Sequence, residues 1–224
     1  MTHPFGAIIF DLDGVLVDSE IWWDEVRQDF AAKRGRAWTT DDRAAVMGQN
    51  SLGWARVMRD RLGLDEPLEA IVDEVVDAML ARFEAHGAPL IDGAVTIVRR
   101  LAATYPLGVA SSAHPRVIAA ALRTSGLADA FRAVTSSDEV EHGKPDPDVY
   151  LLAAERLGVA ADACLVVEDS LNGVLAGRAA GMTVVLVPNA AVPPAAGARE
   201  AADVCLEAIA ELDPSAIRSA ASAS

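Results

Sequence analysis

Ala7-Ile8-Ile9-Phe10-Asp11-Leu12-Asp13-Gly14 is the stretch that organises the chain. Its first four residues are apolar without alternation, the pattern of a strand buried on both faces. In extended backbone, residues i and i+2 point to the same side, so Asp11 and Asp13 both reach one site at the strand's carboxyl end. Open α/β sheets place ligands there. Two carboxylates so close repel each other unless a cation sits between them or one keeps a proton. Gly14 permits the sharp turn that follows. An Asp-Gly pair is also a common loop signal, so the string needs support from elsewhere.

Similar apolar, β-branched runs recur at Leu107–Ala110, Cys164–Val167 and Thr183–Val187, with weaker ones at Ala133–Thr135 and Asp203–Leu206. Helical patterns lie between them, over Ala94–Thr104, Arg116–Ser125 and Pro147–Leu157. Alternating strands and helices predict an α/β fold, a doubly wound, mostly parallel, Rossmann-like sheet. The segment from Glu20 to Pro89 breaks the alternation and reads as helices only. Trp23, Val26 and Phe30 fall at helical spacing, as do Leu68, Ile71, Val72, Val75, Met79 and Phe83, with a further helix around Leu52–Leu62. The prediction is an α/β core of residues 1–18 plus 90–224, with a small α-helical domain inserted over 19–89. Core packing is the reading for most of Trp22, Trp23, Trp38 and Trp54. Asn189–Ala198 is expected to be a surface loop and Ser219–Ser224 a frayed tail.

The chain has 224 residues, 19 Lys+Arg against 33 Asp+Glu, and a net charge of −14. That balance disfavours nucleic acid and anionic membrane as partners. Two cysteines, Cys164 and Cys205, make no disulfide framework. No basic n-region with a long apolar segment opens the chain and no window is long enough to span a bilayer, so the expected compartment is cytoplasmic. Of the histidines, His3 and His142 read as solvated or loop residues, His86 as the end of a cap helix, and His114 as a candidate to border the site. None has metal-pair spacing.

Support for the first acidic pair comes from a second one. Val166-Val167 runs into Glu168-Asp169-Ser170, again at a strand end, with Ser170 placed to cap the next helix. Gly173 and Gly177 keep that helix slim. Two buried strands ending in acidic pairs call for a shared cation, and oxygen donors without a nearby histidine point to Mg²⁺. Ser111 and Ser112 end another strand with hydroxyls. Lys144 precedes a helix start, in a segment stiffened by Pro145 and Pro147.

Phe10-Asp11-Leu12-Asp13-Gly14-Val15-Leu16-Val17-Asp18-Ser19-Glu20 resembles the first signature of the haloacid dehalogenase-like superfamily. Ser111 matches the second, Lys144 the third and Glu168-Asp169 the fourth, in order. The helical insert resembles the cap of its β-phosphoglucomutase-like branch. The resemblance implies roles. Asp11 would take the phosphoryl group as an aspartyl-phosphate, and Asp13 would serve as acid and then base. Mg²⁺ would be held by Asp11, the Asp13 carbonyl and Asp169, with Glu168 assisting directly or through water. Ser111 and Lys144, with Ser112 beside them, would hold the phosphoryl oxygens. The second aspartate, Asp13, argues against the dehalogenases of the superfamily, which lack it.

The implied activity is Mg²⁺-dependent hydrolysis of a small phosphomonoester. The alternative is a β-phosphoglucomutase-type phosphosugar mutase. Mutases of the branch carry a cap histidine where this chain has Trp23, and basic cap residues where it reads Met47-Gly48-Gln49-Asn50-Ser51. Arg43 and Arg56 lie nearby and could compensate. The stretch through Trp23, with Met47-Gly48, looks most like hexose- and hexitol-phosphate phosphatases. The expected ligand is therefore a sugar or polyol phosphate, with Gln49 and Asn50 meeting its hydroxyls and Trp23 walling the site. The cap is expected to hinge near Val17–Glu20 and Ala88–Gly93.

Overall fold

A computed structural model describes residues 3–221. Strand β1 (Ala7–Phe10) is followed by four helices, α1 (Glu20–Ala32), α2 (Thr40–Val46), α3 (Ser51–Leu62) and α4 (Leu68–His86). The chain then alternates: α5 (Ala94–Ala102), β2 (Leu107–Ser111), α6 (Pro115–Thr124), β3 (Ala133–Ser136), α7 (Asp148–Leu157), β4 (Cys164–Glu168), α8 (Leu171–Ala179) and β5 (Thr183–Leu186). It closes with α9 (Ala198–Ala201), β6 (Val204–Cys205) and α10 (Pro214–Ala221).

The six strands form one sheet in the order β3-β2-β1-β4-β5-β6, every neighbouring pair parallel. The doubly wound α/β fold expected from the apolar runs is the observed one. Strand parity explains its two layers. Ile8, Phe10, Val109, Leu165 and Val167 face one core, while Ala7, Ile9, Ala110, Cys164 and Val166 face the other. Because β1 lies between β2 and β4, the carboxyl ends of these three strands meet at one edge.

The insert is all helical. Helix α4 buries Ile71, Val72, Val75, Val76, Met79 and Phe83, while Leu68 packs only partly buried. Helix α2 starts with a capping box between Thr39 and Asp42, and the Asn50 side chain caps α3 by accepting from the Gly53 amide at 2.9 Å. The two linkers run side by side, with Asp18 N donating to Pro89 O at 2.6 Å and Ile91 N to Leu16 O at 3.1 Å. These are the segments where the sequence places the hinge.

Two expectations need correction. The carboxyl-terminal tail is helical through Ala221, because Pro214 opens α10 and Ile217 buries against the core; residues 222–224 lie outside the described residues. The Ala/Pro-rich loop ends at Gly197, where α9 begins, and it lines a cavity rather than lying only on the surface. Among the described residues, no helix is long and apolar enough to cross a membrane.

Candidate active site

Strand ends build the floor of the site. Beyond β1 the chain turns at Gly14, whose φ of 82° lies in the left-handed region. A Cβ at Gly14 would collide with the Asp169 carboxylate, so the first and last acidic segments touch through a missing side chain. Asp11, Glu168 and Asp169 are all buried, and each can offer a carboxylate oxygen within 4.8 Å of the others.

Lys144 sits among them. Its Nζ donates to Asp11 Oδ1 at 2.7 Å, to Glu168 Oε1 at 2.6 Å and to Ala110 O at 3.1 Å. The Tyr150 hydroxyl also donates to Glu168 Oε1, at 2.7 Å. Glu168 Oε2 accepts from the Asp169 and Ser170 amides and from the Ser170 hydroxyl. Glu168 is thus the least available of the three carboxylates, because both its oxygens are already bonded. Gly173 is what leaves it room: a Cβ there would overlap the Glu168 carboxylate.

One cation serves three carboxylates, and the acid strengths follow. Burial would raise Glu168, but Lys144 holds it below its ordinary range. Burial pushes Asp11 up to about 8, with the Glu168 and Asp13 charges adding to the rise and Lys144 opposing it. Burial, then Glu168 and Asp11, raise Asp169 well above its ordinary value. Lys144, bonded to both Glu168 and Asp11, brings one positive charge to three carboxylates, which leaves the cluster two charges short. Oxygen-only donors and that deficit fit a hard divalent cation held by Asp11 and Asp169.

Asp13 stands beside this cluster. Its Oδ1 accepts hydrogen bonds from the Ser19 hydroxyl and from Trp23 Nε1, the latter at 3.2 Å. Burial holds this carboxyl above its ordinary range, against the opposing pull of the Ser19 and Trp23 hydrogen bonds. Ser111 is buried, and its Oγ accepts from the Ala113 amide at 3.1 Å. The Ser112 hydroxyl donates to Gly48 O at 3.3 Å, tying the core to the insert. Asn172 Nδ2 makes a second tie, to Met47 O at 3.3 Å.

Sheet edge, insert and the 191–195 loop enclose a cavity of about 550 Å³. Asp11, Asp13, Trp23, Gln49, Ser111, Ser112, Lys144 and Asp169 all line it. Glu168 sits behind Lys144, and Asn50 is turned to its capping bond instead of the cavity wall. Arg43 lines the cavity, whereas Arg56 is exposed on α3. His114 caps α6 through the Arg116 amide, and His142 faces Asp148 at 3.3 Å on the surface.

Several site residues were not singled out by the sequence. Glu20 lines the cavity, and burial with the nearby Asp13 charge pushes it up to about 7. Arg27 is buried on the apolar face of α1. Its signal was available: it follows Trp23 by four positions, placing a cation on the stripe of Trp23, Val26 and Phe30. Tyr150 and the 191–195 loop carried no signal, since a tyrosine in a first helical turn and an Ala/Pro loop are ordinary.

A family model for haloacid dehalogenase-like hydrolases matches residues 5–181. The chain belongs to this family. It is 32% identical over 202 residues to hexitol phosphatase B of Escherichia coli (strain K12), covering 81% of this chain and 83% of that protein. It is 29% identical over 187 residues to the fructose-1-phosphate phosphatase YqaB of the same strain, covering 83% and 97%. In fold it is similar to β-phosphoglucomutase from Clostridium difficile, with a TM-score of 0.83 at 19% identity, covering 98% of each chain. Family and relatives agree on a phosphoric monoester hydrolase.

Proposed function

We propose that this chain hydrolyses a small phosphomonoester, a sugar or polyol phosphate, through a phosphoryl group carried on Asp11, with Mg²⁺ as cofactor. The observation that carries the reading is the buried grouping of Asp11 and Asp169, at the ends of β1 and β4, with Lys144 from the loop before α7, open to a cavity of about 550 Å³. A nucleophilic carboxylate and a cation that can stabilise phosphoryl oxygens are the parts phosphoryl transfer requires.

In the first half-reaction an Asp11 oxygen forms a bond to phosphorus as the ester P–O bond breaks. Asp13, raised by burial, gives its proton to the departing oxygen. In the second, Asp13 takes a proton from water as that water attacks phosphorus, releasing phosphate and freeing Asp11. Lys144 and Ser111 hold the equatorial oxygens, where negative charge must be stabilised. Mg²⁺, held by Asp11, Asp169 and the Asp13 carbonyl, would offset repulsion between the nucleophile and the phosphate.

The insert over residues 19–89 serves as the cap, hinging on the paired linkers and excluding bulk water. Trp23 and Gln49 provide an apolar wall and a polar contact, and Asn50 acts by fixing the loop before α3. A non-histidine residue at Trp23 supports hydrolysis over the mutase alternative, which would return phosphate to sugar. The expected compartment remains cytoplasmic, and the expected partner a small phosphorylated metabolite.

A phosphate-release screen over sugar, polyol and aryl phosphates, with Asp11→Asn as the blank, tests the reading. Steady release that ends on chelation and in the blank supports it. A bisphosphate-dependent isomer without net phosphate release would favour the mutase instead.

A further inference from the structure

The insert contributes two guanidinium groups to the cavity wall, Arg27 from α1 and Arg43 from α2. Arg27 is 8% exposed, and its Nε finds no hydrogen-bond partner. Arg43 Nη2 is likewise buried without a partner, and the nearest ion-pair contact of this side chain is Asp24 at 4.0 Å. Buried polar groups in folded proteins are almost always satisfied, and a buried cation left unsatisfied destabilises the fold. Two such groups in one cavity require an explanation.

Arg27 touches aromatic rings instead. Its guanidinium lies 5.0 Å from the Trp23 ring centroid and 5.5 Å from that of Trp54. Cation–π contacts of this kind give none of its N–H donors an oxygen acceptor. The in-plane edge is the one that binds a carboxylate or phosphate in a fork. Asp13, Glu20 and Asp24 act on Arg27 through their charge. Burial lowers Arg27 only to about 10, so it stays charged at neutral pH.

We infer that the substrate is anionic at both ends. Its phosphoryl ester meets Asp11 and Lys144, and a second oxyanion at its far end, a carboxylate or another phosphate, meets Arg27 and Arg43. This rests on the phosphatase reading and narrows its substrate class. The Met47–Ser51 stretch has no Lys or Arg, so this subsite is built from α1 and α2. A polyol end offers these guanidinium groups only neutral hydroxyl acceptors, whereas an oxyanion offers charge-assisted, forked hydrogen bonds.

The test is binding, measured by calorimetry in Asp11→Asn so that no turnover intervenes. Three probes share one six-carbon chain: glucitol 6-phosphate, gluconate 6-phosphate and glucitol 1,6-bisphosphate. They end in a hydroxymethyl, a carboxylate and a phosphate. At least one anion-ended probe is expected to bind about tenfold or more tightly than glucitol 6-phosphate, as charge-assisted forks do. Which one does so separates a carboxylate from a second phosphate.

Adding Arg27→Gln or Arg43→Gln is expected to close that gap. Arg43 is partly exposed, so its variant carries the test if Arg27→Gln does not fold. Equal binding of all three probes, or a gap that survives the substitutions, overturns the inference. Phosphate release by the wild-type chain reports separately on the activity. Turnover without an anionic preference would sink this inference alone, and preference without turnover would sink the phosphatase reading alone.

Discussion

Lys144 Nζ lies 2.6 Å from Glu168 Oε1, with both side chains almost wholly withdrawn from solvent. Glu168 therefore acts mainly by holding Lys144, while Lys144 keeps a second bond to Asp11 at 2.7 Å. Glu168→Gln preserves the shape and removes the charge. It is expected to lower kcat by about tenfold or more, because Lys144, released from Glu168, would be held by Asp11 alone and drawn off the proposed phosphoryl position. It should also destabilise the fold by about 1–3 kcal/mol, read by urea unfolding. Unchanged kcat would contradict the assignment.

Trp23 reaches from the insert to the Asp13 carboxylate at 3.2 Å. Trp23→Phe keeps an aromatic ring, smaller than indole, and removes the N–H. Alkyl phosphates need a proton delivered to the leaving oxygen, whereas p-nitrophenyl phosphate does not. The variant should lose about tenfold in kcat on a polyol phosphate and much less on p-nitrophenyl phosphate. Equal losses on both would mean that Trp23 only packs.

Asp11 sits at about 8 against an ordinary 3.8, so the folded chain retains a proton there that the unfolded chain has released. Without a divalent cation, stability is expected to fall as pH rises from about 4 to about 8. Stabilisation by Mg²⁺ should follow the opposite course, growing over the same interval as Asp11 becomes free to bind it. Thermal unfolding with chelator and with Mg²⁺ across that range measures both. A Mg²⁺ shift independent of pH would contradict the carboxylate cluster as the metal site.

Gly173 holds open the space that the Glu168 carboxylate fills. Gly173→Ala should cost about 1–3 kcal/mol through overpacking, despite the better helix propensity of alanine. It should also lower activity by displacing Glu168 and with it Lys144. A Tm equal to that of wild type would show that the carboxylate moves aside easily.

Much of the fold was legible because its strands carry the pattern of two-sided burial. Ala7–Phe10 and Cys164–Val167 read as central strands from composition alone, and strand geometry then placed Asp11 and Asp169 at one edge. Lys144 was legible through its prolines and order in the chain. The rest depends on which helix face meets the sheet, and one sequence does not display that. Arg27 looks like a solvated charge until α1 is seen packed with Trp23 and Trp54 around it. Asn50 looked like a substrate contact, but the amide at Gly53 is closer to hand. Tyr150 gained a role only because α7 carries its hydroxyl to Glu168. Backbone amides and long-range neighbours settle such roles, and neither has a local signature.

The central claim is that Asp11 carries the phosphoryl group. Asp13→Asn should let Asp11 attack p-nitrophenyl phosphate, whose leaving group needs no acid, while slowing the water step that frees the enzyme. Acid quenching followed by peptide mass spectrometry then reads the intermediate directly. The account predicts a mass gain of one phosphoryl group on the peptide containing Asp11, absent when Asp11→Asn is added. Turnover with an unmodified Asp11 peptide, or a phosphoryl group on any other residue, would contradict it.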